Sequence, residues 1–326
     1  MLEAMLERSL LALMEANGTS VKEFVLTGFP VGPKLQIVLF FTFLTLYLIT
    51  IGGNLGMIFL IQSDLRLQTP MYFFLSHLSF LDLCYSSVII PQMLGTLKTG
   101  GTLITYEHCA TQYFFFTLCA STECFLLAVM AYDRYVAVCN PLLYVTVMTP
   151  QTRLGLVMGA YSGAMVNAII RTGMTFSISF CKSSQVDFFF CDLPPLLKLS
   201  CMETGLQELV IFIFAFLVIM INMSIILISY LFIIRVILRI PSAGGRAKTF
   251  STCGSHMTAV ALFFGTLIFM YLRSKAVTSL EEDKIVSVFY TVIIPMMNPI
   301  IYSMRNKEVK EALKKIFRRV KISQAM

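Results

Sequence analysis

Charge is what this sequence has least of. Only 13% of its 326 residues are charged, against 57% hydrophobic, where an ordinary soluble domain carries about 25% charged residues. That shortage, with a mean hydropathy of +0.80, excludes a water-soluble globular protein and makes the chain a membrane protein. Missing too are the signatures of catalysis: there is no G-x-x-x-x-G-K-[ST], no H-E-x-x-H, no dinucleotide fingerprint and no arguable nucleophile–base pair. Enzymatic activity is therefore not expected. Neither C-x-x-C nor a pair of histidines supports a zinc site, and His108 beside Cys109 is not enough. The paired broken helices of a transporter and the polar stripe of a channel are also absent. Met1 to Leu13 contains Glu3 and Glu7 and lacks a basic start and a long apolar core, so it does not read as a cleaved signal peptide.

What the sequence does contain is seven apolar stretches: about Leu35 to Ile61, Pro70 to Leu94, Cys109 to Cys139, Leu154 to Ile170, Leu206 to Leu238, Met257 to Leu272 and Ile285 to Met304. They predict an all-α membrane protein, a bundle of seven transmembrane helices over residues 35–304. Residues 1–34 form an outer tail, and residues 305–326 an inner tail with a short amphipathic helix whose apolar side is Val309, Leu313, Ile316 and Phe317. The inner tail holds Arg305, Lys307, Lys310, Lys314, Lys315, Arg318, Arg319 and Lys321 against Glu308 and Glu311. The positive-inside rule places it in the cytoplasm, so seven spans put the amino terminus outside. Asn17-Gly18-Thr19 then becomes a usable glycosylation acceptor at Asn17. The basic run reads as a topology determinant against anionic lipid and not as a nucleic-acid site. Cys109, Cys181, Cys191 and Cys201 fall on the disulfide-permissive outer side, and their three possible pairings are not ranked by sequence.

The third stretch organises the others. Steps of three and four back from Arg134 give Met130, Leu127, Glu123, Ala120, Phe116, Tyr113 and Cys109, one helical face roughly 37 Å long at about 1.5 Å per residue. Two acids, Asp82 and Glu123, lie inside the membrane, with Asn54 and Asn298 in other spans. They read either as interhelical hydrogen-bonding groups or as a small-cation site, with sodium at Asp82, Glu123 and Asn298. Asp133 and Arg134 end the third stretch as a potential ion pair, and Arg134 alone would pass for an anchor snorkelling to the cytoplasmic face. Gly52-Gly53 permits close helix approach, and Pro299 weakens the seventh helix because it has no N–H to donate.

Longer motifs sharpen this picture. Met130-Ala131-Tyr132-Asp133-Arg134-Tyr135 continues through Val136-Ala137-Val138-Cys139-Asn140-Pro141-Leu142-Leu143-Tyr144. Lys248-Thr249-Phe250-Ser251-Thr252-Cys253-Gly254-Ser255-His256 opens the sixth span, and Pro295-Met296-Met297-Asn298-Pro299-Ile300-Ile301-Tyr302 closes the seventh. Together they resemble the olfactory branch of the rhodopsin-like G-protein-coupled receptors, from about Asn17 to Arg319. Thr249 departs from the family's usual alanine, and Phe264 from its usual tyrosine. There is no tryptophan anywhere, which weakens a generic rhodopsin-like reading more than an olfactory one. The family usually begins near Met14, so the first thirteen residues read as an upstream extension.

The resemblance implies disulfides Cys109–Cys191 and Cys181–Cys201 that draw the long outer loop over the bundle. It implies a ligand pocket of Phe116, Thr117, Ala120, Ser121, Phe214, Val218, Phe264, Leu267, Ile268, Tyr271 and Thr291. It also implies a switch of Asp133, Arg134, Tyr135, Tyr230, Asn298, Pro299 and Tyr302, in which Asp133 holds Arg134 at rest. No cofactor is expected beyond a structural sodium ion. A mostly apolar pocket with phenylalanine at 116 points to a small neutral volatile, held by burial and by one or two hydrogen bonds to Ser121, Thr117 or Tyr271. The implied partners are that odorant, membrane lipid, and a stimulatory olfactory-type G protein that raises cyclic AMP at the plasma membrane. The competing reading is a receptor for a non-sensory metabolite, such as a short carboxylate drawn to Arg171, Arg273 or Lys275 near the outer rim.

Overall fold

The computed structural model describes residues 21–201, 203–272, 280–304 and 308–315. Among them are seven helices long and apolar enough to cross a membrane. They are α1 (Pro33–Ser63), α2 (Pro70–Thr99), α3 (Tyr106–Cys139), α4 (Pro150–Phe176), α5 (Gly205–Leu238), α6 (Ala243–Leu272) and α7. The last runs as Leu280–Val288, a π-helical turn Phe289–Ile293, and Ile294–Met304.

The helices outrun the apolar stretches because hydropathy reports the hydrocarbon layer, whereas a helix continues until its backbone is capped or broken. α4 begins at Pro150 because Thr149 accepts a hydrogen bond from Thr152 N and proline occupies the first turn. α2 stops where Gly100 takes a left-handed conformation, φ 75°, suited to a residue without Cβ. α6 starts at Ala243 and not near Met257, since no proline interrupts the polar segment before it.

α3 packs against α2, α4 and α5 and has the most buried apolar window of the seven spans, at 67%. Cys109, Tyr113, Phe116, Glu123, Leu127 and Met130 on its organising face are all buried. α1 and α5 instead show exposed Phe41, Leu48, Phe59, Phe212, Leu227 and Leu231, the outward apolar surface that lipid requires.

The structure adds a small outer sheet to an otherwise helical molecule. β1 (Glu23–Leu26) lies between β2 (Thr102–Thr105), antiparallel to it, and β3 (Gln185–Val186), parallel to it. Phe24 and Leu26 are fully buried beneath it, so the end of the outer tail is sewn onto the bundle.

Residues 308–315 are helical, but their buried side is Val309 and Ala312, while Leu313 stays 36% exposed. The expected apolar stripe is therefore split, and Ile316 and Phe317 lie outside the described residues. Tyr72 Oη donates to Glu308 Oε2 at 2.8 Å, and Arg66 Nη1 pairs with Glu311 Oε2 at 3.1 Å, which docks this helix at the junction of α1 and α2.

Candidate functional site

A cavity of about 600 Å³ lies between α3, α5 and α6 beneath the long outer loop, a volume ordinary for small-molecule sites. α3 contributes Phe116, Ala120, Ser121 and Cys124, spaced as one helical face. α5 contributes Ile211, Phe212, Ala215, Val218 and Ile219, again in steps of three and four. Leu267 and Met270 come from α6, and Tyr290 from α7. Tyr85 of α2 stacks on Phe116 with ring centroids 5.7 Å apart.

Of the residues projected from sequence, the cavity wall takes in Phe116, Ala120, Ser121, Val218 and Leu267. Thr117 is fully buried and does not line the cavity, and Phe214 is off the lining stripe of α5. Phe264 is packed in the core edge-on to Phe263, while Ile268 is 38% exposed on the outside of α6. Thr291 turns back to donate to Ser287 O at 2.6 Å. A π-helical turn adds a residue to the local winding, and here Tyr290 faces the cavity in place of its neighbour. The side chain of Tyr271 lies outside the described residues, as do Asn17, Arg273 and Lys275.

Sequence reasoning missed Tyr85, Asn167, Asp192, Ile211, Met270 and Tyr290. It placed Arg171 at the outer rim, whereas that residue is only 6% exposed and lines the cavity. Asn167 Nδ2 donates to Ser121 Oγ at 2.7 Å, joining α4 to α3 in the cavity wall. Asp192 caps the short helix Leu193–Leu197 by accepting from Leu193 N at 2.8 Å. Burial pushes its carboxyl up to about 6, with the hydrogen bond from Leu193 and the charge of Arg171 acting in the opposite direction.

The loop above is fixed covalently. Cys109–Cys191 and Cys181–Cys201 stand at Cα separations of 5.6 and 5.7 Å, the pairings that the resemblance implied. Gln112 Oε1 accepts from Cys191 N at 2.9 Å, and Phe190 packs on Phe116 at 5.1 Å. Asp187 joins the fully buried Lys284 of α7 at 2.7 Å and accepts from Thr27 Oγ1 at 3.2 Å, so tail, loop and α7 meet at one carboxylate.

At the other end of α3, Asp133 accepts a hydrogen bond from Tyr144 Oη at 2.9 Å. Among the described residues no ion pair joins it to Arg134. The buried carboxylate is served by a loop phenol, and the charge of Arg134 also acts on it. Arg134 lies near enough to His256, Tyr230 and Tyr302 to act on them as well. His256 lies between three spans: its Nδ1 is 2.8 Å from Tyr230 Oη and its Nε2 is 3.1 Å from Leu127 O. A carbonyl can only accept, so Nε2 carries the proton and Tyr230 donates to Nδ1. Ser255 donates to Ile301 O at 2.9 Å, tying α6 to α7. The polar run Lys248 to His256, which lies inside α6, therefore joins helices. Tyr135 packs on Phe232 of α5 at 5.8 Å.

α7 is weakened where the sequence indicated. Proline at 299 leaves Pro295 O without its normal helical donor, and Asn54 Nδ2 reaches across from α1 to donate there at 3.0 Å. A Cβ at Gly53 would meet Pro299 at 3.5 Å, an ordinary contact, so the approach of α1 to α7 there does not require glycine. Asn298 Nδ2 donates to both oxygens of Asp82 at 3.2 and 3.1 Å. Glu123 is buried close enough to Asp82 to act on it electrostatically, and Asn298 Oδ1 is buried without a hydrogen-bond partner.

Residues 43–320 match the family model described as Olfactory receptor. The chain is 63% identical over 310 residues to olfactory receptor 9I1 of Homo sapiens, covering 95% of this chain and 99% of that one. It is 57% identical over 311 residues to human olfactory receptor 9Q1, with 95% and 100% covered. To olfactory receptor 9S13 of Mus musculus it is 50% identical over 307 residues, with 94% and 92% covered.

Proposed function

This chain belongs to the olfactory receptor family, and on that premise we propose that its cavity takes a small, neutral, largely apolar volatile whose binding raises cyclic AMP. As a member it is an odorant-sensing, multi-pass plasma-membrane receptor that works through a G protein, and it is not an enzyme. The observation that carries the ligand reading is the cavity itself, roofed by the disulfide-held loop and walled mainly by apolar side chains of α3, α5 and α6. Burying about 200 Å² of apolar ligand surface there is worth about 5 kcal/mol, or a dissociation constant of a few hundred micromolar. One or two hydrogen bonds from the wall improve on that.

The mechanism is a population shift. A ligand that fits the active arrangement better than the resting one favours the state in which Arg134 meets a stimulatory olfactory-type G protein. α7 bends at Pro299, where its own hydrogen-bond ladder is already broken, and the inner ends of α3, α5 and α6 separate. The amino terminus is outside and the basic carboxyl terminus inside. Asp82, Glu123 and the unpartnered Asn298 Oδ1 offer a set of oxygens suited to a small hard cation. Sodium held there would supply positive charge between two buried acids and favour one helix arrangement. An agonist response equally sensitive to sodium in wild type and Asp82→Asn would remove that role.

Arg171 in the cavity wall gives the carboxylate reading its one supporting observation. Asp192, Glu208 and Asp283 line the same cavity against Arg171 and Lys198, so an anionic ligand would meet an excess of acids. A cyclic AMP reporter assay of neutral volatiles against acetate, propionate and butyrate, with Lys275→Ala beside wild type, separates the two. Responses to volatiles alone are expected; responses to the carboxylates alone, lost in Lys275→Ala, would replace the neutral-ligand reading. An amino-terminal epitope stained on intact cells, with a carboxyl-terminal epitope stained only after permeabilisation, checks the orientation.

A further inference from the structure

The cavity wall is apolar apart from its charged side chains, two tyrosines, and one neutral polar pair set between α3 and α4. Ser121 and Asn167 are 4% and 3% exposed and both line the cavity. In their mutual hydrogen bond the amide donates and the hydroxyl accepts, at 2.7 Å. That uses one hydrogen of Asn167 and one lone pair of Ser121. Ser121's own hydrogen goes to no acceptor among the described residues, and Asn167 Oδ1 is buried with no partner. The pair therefore has donors left over, the Ser121 hydroxyl hydrogen and the second amide hydrogen, and acceptors, chiefly Asn167 Oδ1. Turning the amide over exchanges the two roles: Ser121 would then donate to Asn167, leaving both amide hydrogens and the hydroxyl lone pairs unused. The count is the same either way.

A buried unsatisfied donor and acceptor are costly, and a ligand that answers both recovers more than one that answers either. A single oxygen that does both is a hydroxyl. A ketone, aldehyde, ester or ether can accept from the spare donor but leaves the spare acceptor unserved, and a hydrocarbon serves neither. We propose that the Ser121–Asn167 pair makes this receptor selective for volatile alcohols and phenols over carbonyl compounds and ethers of the same size. The selectivity rests on the odorant reading given above and names the functional group that reading leaves open. It also requires both residues together: each is a donor and an acceptor, but without its partner either side chain can turn back onto the i−4 carbonyl of its own helix, as Asn54 and Asn222 do, and be lost to the ligand.

The test uses the full-length receptor in cells, with surface staining of each variant and a cyclic AMP readout. The panel is n-octanol, n-octyl methyl ether, octanal and n-octane, with borneol, bornyl methyl ether, camphor and bornane as a bulkier set. In wild type the better-fitting alcohol should be about tenfold more potent than its ether and its carbonyl counterpart. Asn167→Leu and Ser121→Ala should each bring the alcohol-to-ether potency ratio towards one, and Ser121→Thr, which keeps the hydroxyl, should retain the preference. Ethers or carbonyls as potent as alcohols in wild type, or a ratio that survives both Asn167→Leu and Ser121→Ala at normal surface staining, would overturn the assignment and leave the odorant reading standing. Silence of wild type towards the whole panel at normal surface staining would count against both.

Discussion

The outer and inner halves of this receptor are held by different kinds of bond. Outside, two disulfides, a three-stranded sheet and the Lys284–Asp187 pair tie tail, loop and α7 into one roof over the cavity. Inside, the same helices meet through single hydrogen bonds: Tyr230 to His256, His256 to Leu127 O, Ser255 to Ile301 O, and Tyr144 to Asp133. A covalent cross-link opposes any separation of its ends, whereas a neutral hydrogen bond contributes about 0.5–1.5 kcal/mol net and is readily exchanged. The difference teaches where motion is cheap. Ligand energy delivered under a fixed roof is spent on the end whose contacts can swap partners.

Breaking the outer half should have the largest effect. Cys191→Ser removes a cross-link over an 82-residue separation, and losing a native disulfide costs about 2–5 kcal/mol, so surface staining should fall to background. Normal staining with unchanged potency would show that the roof does not depend on that bond. Next comes the inner end. Arg134→Ala should leave surface staining intact while abolishing the ligand-evoked cyclic AMP rise; an undiminished rise would mean that the signal leaves by another residue.

A smaller change is expected at His256. Replacing it by phenylalanine keeps the ring's bulk but removes both hydrogen bonds that join α6 to α3 and α5. Losing about 1–1.5 kcal/mol of that restraint shifts a two-state population by roughly tenfold, so basal cyclic AMP should rise several-fold. Unaltered basal signalling would make the contact incidental to the inner restraint.

The smallest effect returns to the roof. Asp192 has its carboxyl raised from 3.8 to about 6, chiefly by burial. The folded state therefore binds the proton more tightly than the unfolded chain, and stability present below about pH 4 is lost as the pH rises to about 6. Relative to Asp192→Asn, wild type should lose on the order of 2–4 °C of melting temperature in detergent between pH 4 and pH 7. Parallel curves for the two proteins would mean that the rim carboxylate ionises as an exposed one does.

How much of this could be read from the chain follows from which interactions are local. The seven spans were legible because lipid solvation acts on composition, and the start of α4 was available from Thr149-Pro150. The weak point of α7 was legible from Pro299 alone, although its donor, Asn54, lies 241 residues from Pro295. The disulfide pairings came from resemblance, since equal spacing of Cys181, Cys191 and Cys201 does not rank them. Strands as short as Glu23–Leu26 and Gln185–Val186 carry too little periodicity to be seen, and they pair across more than 150 residues.

The sequence by itself determined the solvent and the architecture: a chain this apolar, with seven runs of spanning length, has no other way to satisfy its backbone in a bilayer than as helices. It also determined the chemistry available at the inner end, through Asp133, Arg134 and the polar block Lys248 to His256. Only the tertiary structure decided which side chains meet. The rotation of each helix about its axis is set by packing against its neighbours, so whether Tyr290 or Thr291 faces the cavity, and whether Ser121 finds Asn167, depends on contacts between residues far apart in the chain.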